Sequence, residues 1–156
     1  MEKQGRPVWD SSKSPEENAS QKLPALARVY FGAGRALFAA QPTAGAFHKF
    51  RLETKRFRYT LELFESCYGA GLEERLKLLR TIQNVLGEIN DCATTAKLLG
   101  EKSRISKFLE RRMALKARAL RTLWRQTFDG AGQETRWTNY LARFVRKPKG
   151  ELHEDR

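Results

Sequence analysis

The residues between His48 and Glu62 include basic side chains at a spacing that a helix brings onto one face. Successive residues of an α-helix turn by about 100°, so side chains three or four positions apart lie on the same side. The basic members of this face, called here the cationic stripe, are His48, Arg51, Lys55 and Arg58. Guanidinium and ammonium groups bind carboxylates and phosphates through charge-assisted hydrogen bonds. The spacing therefore predicts an anion-binding surface.

Apolar residues flank the cationic stripe on both sides. One flank consists of Phe47, Phe50, Phe57, Leu61 and Phe64, and the other consists of Leu52, Tyr59 and Leu63. A solvated basic face normally lies opposite the apolar face of a helix, not within it. Cations held between packed edges lose hydration unless a negative group meets them. A ligand with repeated anionic groups, such as phosphates, would supply that charge.

Two structural alternatives compete with anion binding. His48 is also suited to a hydrogen bond with a core carboxylate, and the other cations could pair with Glu62 or Asp91. Two acids are too few to neutralise the whole stripe, so ligand contact is favoured. Gln83 and Asn90 are expected to be hydrogen-bonded crosslinks between helices, because that is the common role of buried amides.

A second basic helix is predicted over residues 103–128. Residues 102–125 contain nine Lys or Arg residues and one acid. The apolar stripe of this helix comprises Ile105, Phe108, Leu109, Met113, Leu115, Ala119, Leu120, Leu123 and Trp124. Arg112 and Lys116 fall inside that stripe. Because burying these two cations alone would be costly, we expect them to face the same cleft as the cationic stripe.

Helical periodicity accounts for the rest of the chain, and no strand pattern competes with it. Helices are predicted over residues 20–40, 44–68, 72–99, 103–128 and 134–145, with Thr43 as an N-cap, a bend at Gly87, and Gly69 and Gly100 ending two of them. The fold class is therefore all-α, as an antiparallel four-helix bundle with a short additional C-terminal helix. Trp137, Tyr140, Leu141 and Phe144 form the expected packing face of that last helix. Residues 1–19 are predicted to be a disordered arm, 20–145 the bundle, and 146–156 a flexible tail.

Composition narrows the class of partner. The 156 residues contain 30 Lys and Arg against 18 Asp and Glu, a formal charge of +12, which favours a polyanionic partner. Cys67 and Cys92 lack metal-ligand spacing and are expected to be reduced core residues of a cytoplasmic protein. No segment is apolar enough to span a membrane, and we expect no membrane partner. No nucleophile, metal site or nucleotide loop is evident, so we expect no catalytic residues, no metal, no cofactor and no enzymatic activity.

Three segments together resemble the CHAD family, helical domains named for their histidines. The first is residues 47–64, with the order Phe-His-Lys-Phe-Arg-x3-Lys-Arg-Phe-Arg-Tyr-x-Leu-Glu-Leu-Phe. The second is residues 79–91, with Leu-x2-Ile-Gln-x2-Leu-Gly-Glu-Ile-Asn-Asp, and the third is the arginine-rich helix from Glu110 to Trp124. The resemblance covers about residues 20–130, and it is to the second of the two helical repeats of the family's domain.

The resemblance implies a non-enzymatic module that binds inorganic polyphosphate, which suggests association with polyphosphate granules in the cytoplasm. It maps His48, Arg51, Lys55 and Arg58 onto the inward basic positions of the family motif. Lys49 and Arg56 match basic positions on the periphery. In the family, both repeats line one positively charged pocket, whereas this chain carries one repeat. We therefore expect a weak homodimer that polyphosphate strengthens.

Two other functions remain open from the sequence. A nucleic-acid-binding protein would use outward cations of the 103–128 helix, namely Arg111, Arg118, Arg121 and Arg125. A protein-interaction module would instead cover its exposed face with a partner that carries acidic residues.

Overall fold

The structure, a computed structural model, describes residues 8–143 and contains six helices within them. These are α1 (Pro15–Ala39), α2 (Ala44–Leu63), α3 (Glu65–Tyr68), α4 (Ala70–Leu99), α5 (Arg104–Thr127) and α6 (Gln133–Arg143). No strand occurs between residues 8 and 143. The all-α prediction is confirmed, whereas the bundle arrangement stays a prediction. The predicted tail at 146–156 and the packing residue Phe144 lie outside the described residues.

The first helix begins earlier than predicted, inside the segment expected to be disordered. Ser14 caps α1 by accepting a hydrogen bond from the Glu17 backbone N–H, and the Glu17 carboxylate accepts one from the Ser14 N–H. This reciprocal capping box satisfies two helix-terminal donors at once. The prediction of a disordered arm is therefore wrong for residues 15–19, where Ser-Pro-Glu-Glu starts a helix.

The second predicted helix is interrupted near its end. Thr43 caps α2 as predicted, through a hydrogen bond from the Ala46 N–H. Phe64 then leaves helical geometry, with φ −107° and ψ 14°, so that residues 65–68 form the separate short helix α3. The continuous helix predicted to Tyr68 is thus wrong in its last turn.

The long helix α4 passes through Gly87 without a break. It starts after Gly69 and ends at Gly100, whose φ values of 79° and 78° suit glycine because it has no side chain to clash. Helical geometry continues through Gly87, so α4 is not interrupted there, and the bend expected at this glycine stays a prediction.

Aromatic side chains of four helices form the centre of the core. Tyr30 and Phe31 of α1 contact Trp124 of α5 and Phe128 directly after it, while Phe50 and Phe57 of α2 stack on Tyr30 and Trp137 of α6 contacts Phe31. Trp124, Phe128 and Trp137 are buried, as predicted. Cys67 and Cys92 are buried and free, also as predicted.

The apolar stripe predicted for α5 is only half covered. Leu120 and Trp124 are buried, but Ile105, Phe108 and Leu115 are 58%, 60% and 63% exposed. The stripe predicted from the sequence is wider than the face that the helix buries. Within the described residues nothing covers its second edge.

Gly34 offers a test of how closely α1 and α5 approach. A Cβ on Gly34 would collide with the Trp124 ring, whereas a Cβ on Gly32 would meet nothing within 4 Å. Gly34→Ala is expected to lower the free energy of unfolding by about 1–3 kcal/mol, because overpacking forces the fully buried ring to move. Gly32→Ala is the matched control and is expected to raise it by about 0.5–1 kcal/mol through helix propensity. Urea unfolding of both variants measures this, and equal effects would contradict the close approach.

Candidate anion-binding face

The cationic stripe lies where α2 packs beside α4. His48 Nδ1 is 2.9 Å from Asn90 Oδ1 near one end of the interface, and Glu62 is 3.6 Å from Arg80 near the other. Since the contacts run in opposite order along the two helices, α2 and α4 are antiparallel. Between these ends, a Cβ placed on Gly87 would lie 3.9 Å from Arg51 Nε. The Arg51 side chain thus lies against α4 beside Gly87.

The four residues of the cationic stripe differ in burial. Arg51, Lys55 and Arg58 are half-buried, whereas His48 is exposed. The Tyr59 ring lies next to two of them, with its centroid 4.5 Å from Arg58 Cζ and 5.9 Å from Lys55 Nζ. The aromatic face favours cations near it. Three cations are thus held against protein surface and not extended into bulk water.

Carboxylates partner only part of this charge. Glu62 is shared by Arg58 at 3.5 Å and Arg80 at 3.6 Å, and Arg80 also binds Glu73 at 2.9 Å. Between residues 8 and 143, no carboxylate lies within 4 Å of the cationic nitrogens of Arg51 or Lys55. Ion pairing within the protein therefore supplies a counter-charge for Arg58 and leaves Arg51 and Lys55 without one.

Three polar atoms in this region are buried without a hydrogen-bond partner among the described residues. They are Arg51 Nε, Arg58 Nε and Gln83 Oε1. Of these, Arg58 Nε lies 3.5 Å from Glu62 Oε1 as an ion pair, but without the geometry of a hydrogen bond. A buried polar group without a partner costs about 1–3 kcal/mol, and more when it is charged. The interface thus carries an unsatisfied hydrogen-bonding capacity that water or a ligand would relieve.

The other two predicted cations reach α4 from α5. Lys116 Nζ lies 2.7 Å from Glu88 Oε2. This hydrogen-bonded ammonium, with a smaller contribution from Arg112, lowers the pKa of the Glu88 carboxyl. Because Glu88 follows Gly87 on α4, α2 and α5 bring cations to the same stretch of α4 from either side.

Arg112 is not a buried cation. It is exposed, as are the adjacent apolar residues Phe108 and Leu115. The sequence predicts that Arg112 faces a cleft because burying the cation alone would be costly. That reason is wrong, because Arg112 lies on the open edge of α5. The peripheral positions Lys49 and Arg56 are also exposed.

Sequence reasoning missed Arg80. This residue bridges Glu62 and Glu73 and so ties the end of α2 to α4. The spacing of Arg80, Gln83, Gly87 and Asn90 places all four on one face of α4, a signal that the sequence contains. Asn90 is a crosslink through His48, as predicted, whereas no partner of Gln83 Oε1 is found in residues 8–143.

The second apolar flank of the cationic stripe is exposed. Leu52, Tyr59 and Leu63 are 45%, 47% and 79% exposed, and they are called here the outer edge of α2. The matching open edge of α5 consists of Ile105, Phe108 and Leu115. The outer surface of α4 thus has exposed apolar residues of α2 on one side and of α5 on the other.

Comparison with known families identifies the helical unit. The family model of the CHAD domain matches residues 5–100. The chain belongs to the CHAD domain family. CHAD domains are binding modules that are generally non-catalytic, and they are associated with polyphosphate. The match contains the cationic stripe and all of α4, but it ends before α5, so the expected span of about residues 20–130 is not reproduced at its C-terminal end. Neither the curated proteins nor the solved structures contain a match to the chain.

Two further features are absent from residues 8–143. None of the helices is long and apolar enough to cross a membrane. No group of three or more His, Cys, Asp or Glu residues in this part of the chain could hold a metal ion.

The Lys116–Glu88 contact can be tested by titration. Removing the ammonium with Lys116→Met is expected to raise the pKa of the Glu88 carboxyl towards its ordinary value, because the hydrogen bond and charge that favour the ionised form are lost. In the wild type, the contact stabilises the folded protein above the ordinary glutamate pKa, and this contribution disappears as pH falls through the lowered one. Carboxyl ¹³C NMR titration gives the midpoint directly. Lys97→Met, an exposed lysine further along α4, is the control, and equal midpoints in both variants would exclude the contact.

Proposed function

We propose that this CHAD domain binds inorganic polyphosphate without catalysis, through the cationic stripe together with Arg112 and Lys116. The observation that carries the proposal is the half-buried stripe with too few carboxylates. Arg51 and Lys55 have no carboxylate partner in the described chain, and the Nε atoms of Arg51 and Arg58 are buried without a hydrogen bond. A phosphate oxygen would supply the counter-charge that Arg51 and Lys55 lack, and a hydrogen-bond acceptor for the Nε atoms of Arg51 and Arg58.

Polyphosphate suits this arrangement better than a single anion does. The cations extend from His48 to Arg58 along α2, which is roughly 15 Å at 1.5 Å per residue. A linear chain of phosphates offers an anion at each step, and it requires no recognition of a base or sugar. Lys116 is held by Glu88, so a ligand must compete with this carboxylate or bind both cations of α5 at their open side.

The proposed architecture is an antiparallel bundle of α1, α2, α4 and α5. The opposed order of the contacts between α2 and α4 supports it, as do Lys116–Glu88 and the Ser106 hydroxyl that donates to the Ala96 and Gly100 carbonyls at the turn between α4 and α5. In this arrangement, α4 forms the floor of the cleft and α2 and α5 form its sides. We expect the protein in the cytoplasm, where stored polyphosphate would be its partner.

Two double variants distinguish polyphosphate binding by the cationic stripe from non-specific attraction to the basic surface. Arg51→Gln with Arg58→Gln is expected to weaken polyphosphate binding about 100-fold, since each charged hydrogen bond contributes about 1.5–3 kcal/mol and 1.4 kcal/mol is tenfold in affinity. Arg118→Gln with Arg125→Gln removes the same charge from the exposed surface of α5 and is expected to weaken binding far less. Calorimetry with long-chain polyphosphate at about 0.15 M salt measures both.

The competing function is nucleic-acid binding by α5, favoured by its high density of exposed arginines, including Arg111, Arg118 and Arg125. Competition at equal phosphate between polyphosphate, single-stranded nucleic acid and duplex nucleic acid distinguishes the two. Preferred binding of nucleic acid, with the larger loss in the Arg118 and Arg125 variant, would replace the polyphosphate proposal.

We further propose that a second copy covers the cleft. The outer edge of α2 and the open edge of α5 are exposed apolar surfaces on either side of the proposed cleft, and such patches favour association. Two like-charged faces repel, so pairing should be weak until a polyanion lies between them. A ligand that binds the dimer more tightly than the monomer must shift the equilibrium to the dimer.

Sedimentation tests the assembly. Polyphosphate is expected to move the protein from monomer towards dimer, and Leu52→Ser with Leu63→Ser is expected to abolish the shift by removing apolar contact area. Leu98→Ser, at an exposed apolar residue of α4, is the control. A strict monomer that still binds polyphosphate tightly would show that a single copy suffices.

A further inference from the structure

A cavity of about 480 Å³ lies on the side of α2 that faces α1 and the N-terminal segment, outside the cationic stripe. It is called here the Trp9 groove. Its lining residues are Trp9, Asn18, Lys22, Leu23, Leu26, Arg56, Thr60, Leu63 and Phe64. The residues of α1 recur at positions 18, 22 and 26 and those of α2 at 56, 60 and 63, so each helix contributes one regular row. The volume is within the usual range of small-molecule sites.

The wall formed by Trp9 is fixed by Asn18. This asparagine is fully buried, and both polar atoms of its side chain are hydrogen-bonded. Its Oδ1 accepts from the Asp10 N–H, and the two hydrogens of its Nδ2 are shared among the carbonyls of Asp10, Lys13 and Ser14, which lie 2.9–3.2 Å away. The Trp9 ring then stacks on Phe64, with 5.7 Å between centroids and 21° between planes. The position of Trp9, and with it this wall of the groove, is therefore set by specific contacts.

One end of the groove is apolar and open. Trp9 is 51% exposed and Leu63 is 79% exposed, and both border the cavity. Together with the stacked Phe64 they form an apolar surface that water contacts. An occupant with an apolar body would bury this surface and gain the corresponding hydrophobic free energy.

The remainder of the groove carries positive charge without a counter-charge. Lys22 and Arg56 are lining residues, and none of the lining residues is acidic. In the part of the chain that the structure describes, no carboxylate lies within 4 Å of the charged nitrogens of either residue. The Thr60 hydroxyl, which also lines the groove, donates to the Arg56 carbonyl and keeps its own acceptor capacity.

We propose that the Trp9 groove binds an amphiphilic anion, with a single apolar body against Trp9, Leu63 and Phe64 and an anionic head at Lys22 and Arg56. Phe38 contacts Phe50, whereas Tyr30, earlier in α1, contacts Thr54 and Phe57, later in α2, so the two helices are antiparallel. This order places Lys22 near the level of Thr60 and sets Arg56 further from Trp9, so the apolar and cationic ends are separated along the groove. A neutral or cationic amphiphile lacks a partner for the two charges. An inorganic anion would leave the apolar end of the groove in contact with water.

The test uses decyl phosphate below its micellar concentration, with the full chain. Calorimetry and tryptophan fluorescence report binding. Trp9 is exposed, whereas Trp124 and Trp137 are buried, so a change in fluorescence on binding is expected from Trp9. We expect saturable binding to one site, at least about tenfold tighter than decyl maltoside, decyltrimethylammonium or inorganic phosphate, a difference of about 1.4 kcal/mol. Equal binding of decyl maltoside would overturn the role of the cations, and equal binding of inorganic phosphate would overturn the role of the apolar end.

Variants locate the site. Lys22→Gln with Arg56→Gln is expected to weaken decyl phosphate binding at least about tenfold, whereas Arg28→Gln with Lys97→Gln, two exposed cations outside the groove, leaves it unchanged. Thr60→Trp fills the groove from α2 and is expected to abolish binding, with circular dichroism as the check on folding. Arg51→Gln with Arg58→Gln separates this proposal from polyphosphate binding, because it is expected to leave decyl phosphate binding intact. Unchanged binding in both the Lys22 and Arg56 variant and the Thr60 variant would refute the site.

Discussion

The interface between α2 and α4 holds more positive charge than its own carboxylates balance. Arg51, Lys55 and Arg58 are half-buried, with Arg51 against α4, and Glu62, which pairs with Arg58, is shared with Arg80. Removing cations from bulk water costs hydration free energy. The fold offsets part of that cost with the Tyr59 ring and with Glu62, and the remainder is available to an anionic ligand. The proposed function depends on this imbalance.

The aromatic core makes that imbalance tolerable. Trp124 stacks on Phe128 at 4.6 Å between centroids and contacts Tyr30 and Phe50, so α1, α2 and α5 are joined at one point. Phe50 lies next to Arg51 in the sequence, and its burial directs the arginine towards α4. A well-packed core thus holds α2 in an orientation that its charges alone would not favour. The same orientation leaves Leu52 and Tyr59 exposed.

The parts of this structure that the sequence predicts best are those governed by local rules. The helices, the Thr43 cap, the ends at Gly69 and Gly100 and the burial of Trp124 follow from periodicity and capping. The start of α1 at Pro15 is hidden by the polar composition of residues 1–19, although the capping box of Ser14 and Glu17 indicates it. The open edge of α5 is not specified by the sequence, since periodicity shows that Phe108 and Leu115 share a face but not whether another element covers it. The pairing of Arg80 with Glu62 depends on the register between two helices, which a single sequence does not specify.

The most direct test of the account observes the guanidinium groups themselves. NMR of the arginine Nε–Hε resonances, followed as polyphosphate is added, reports which side chains gain an acceptor. We expect large shifts and slowed solvent exchange for Arg51 and Arg58, whose Nε atoms are buried without a hydrogen bond, and small changes for the exposed Arg118 and Arg125. Equal small changes at all four, or the larger change at Arg118 and Arg125, would contradict the claim that the α2–α4 interface binds polyphosphate.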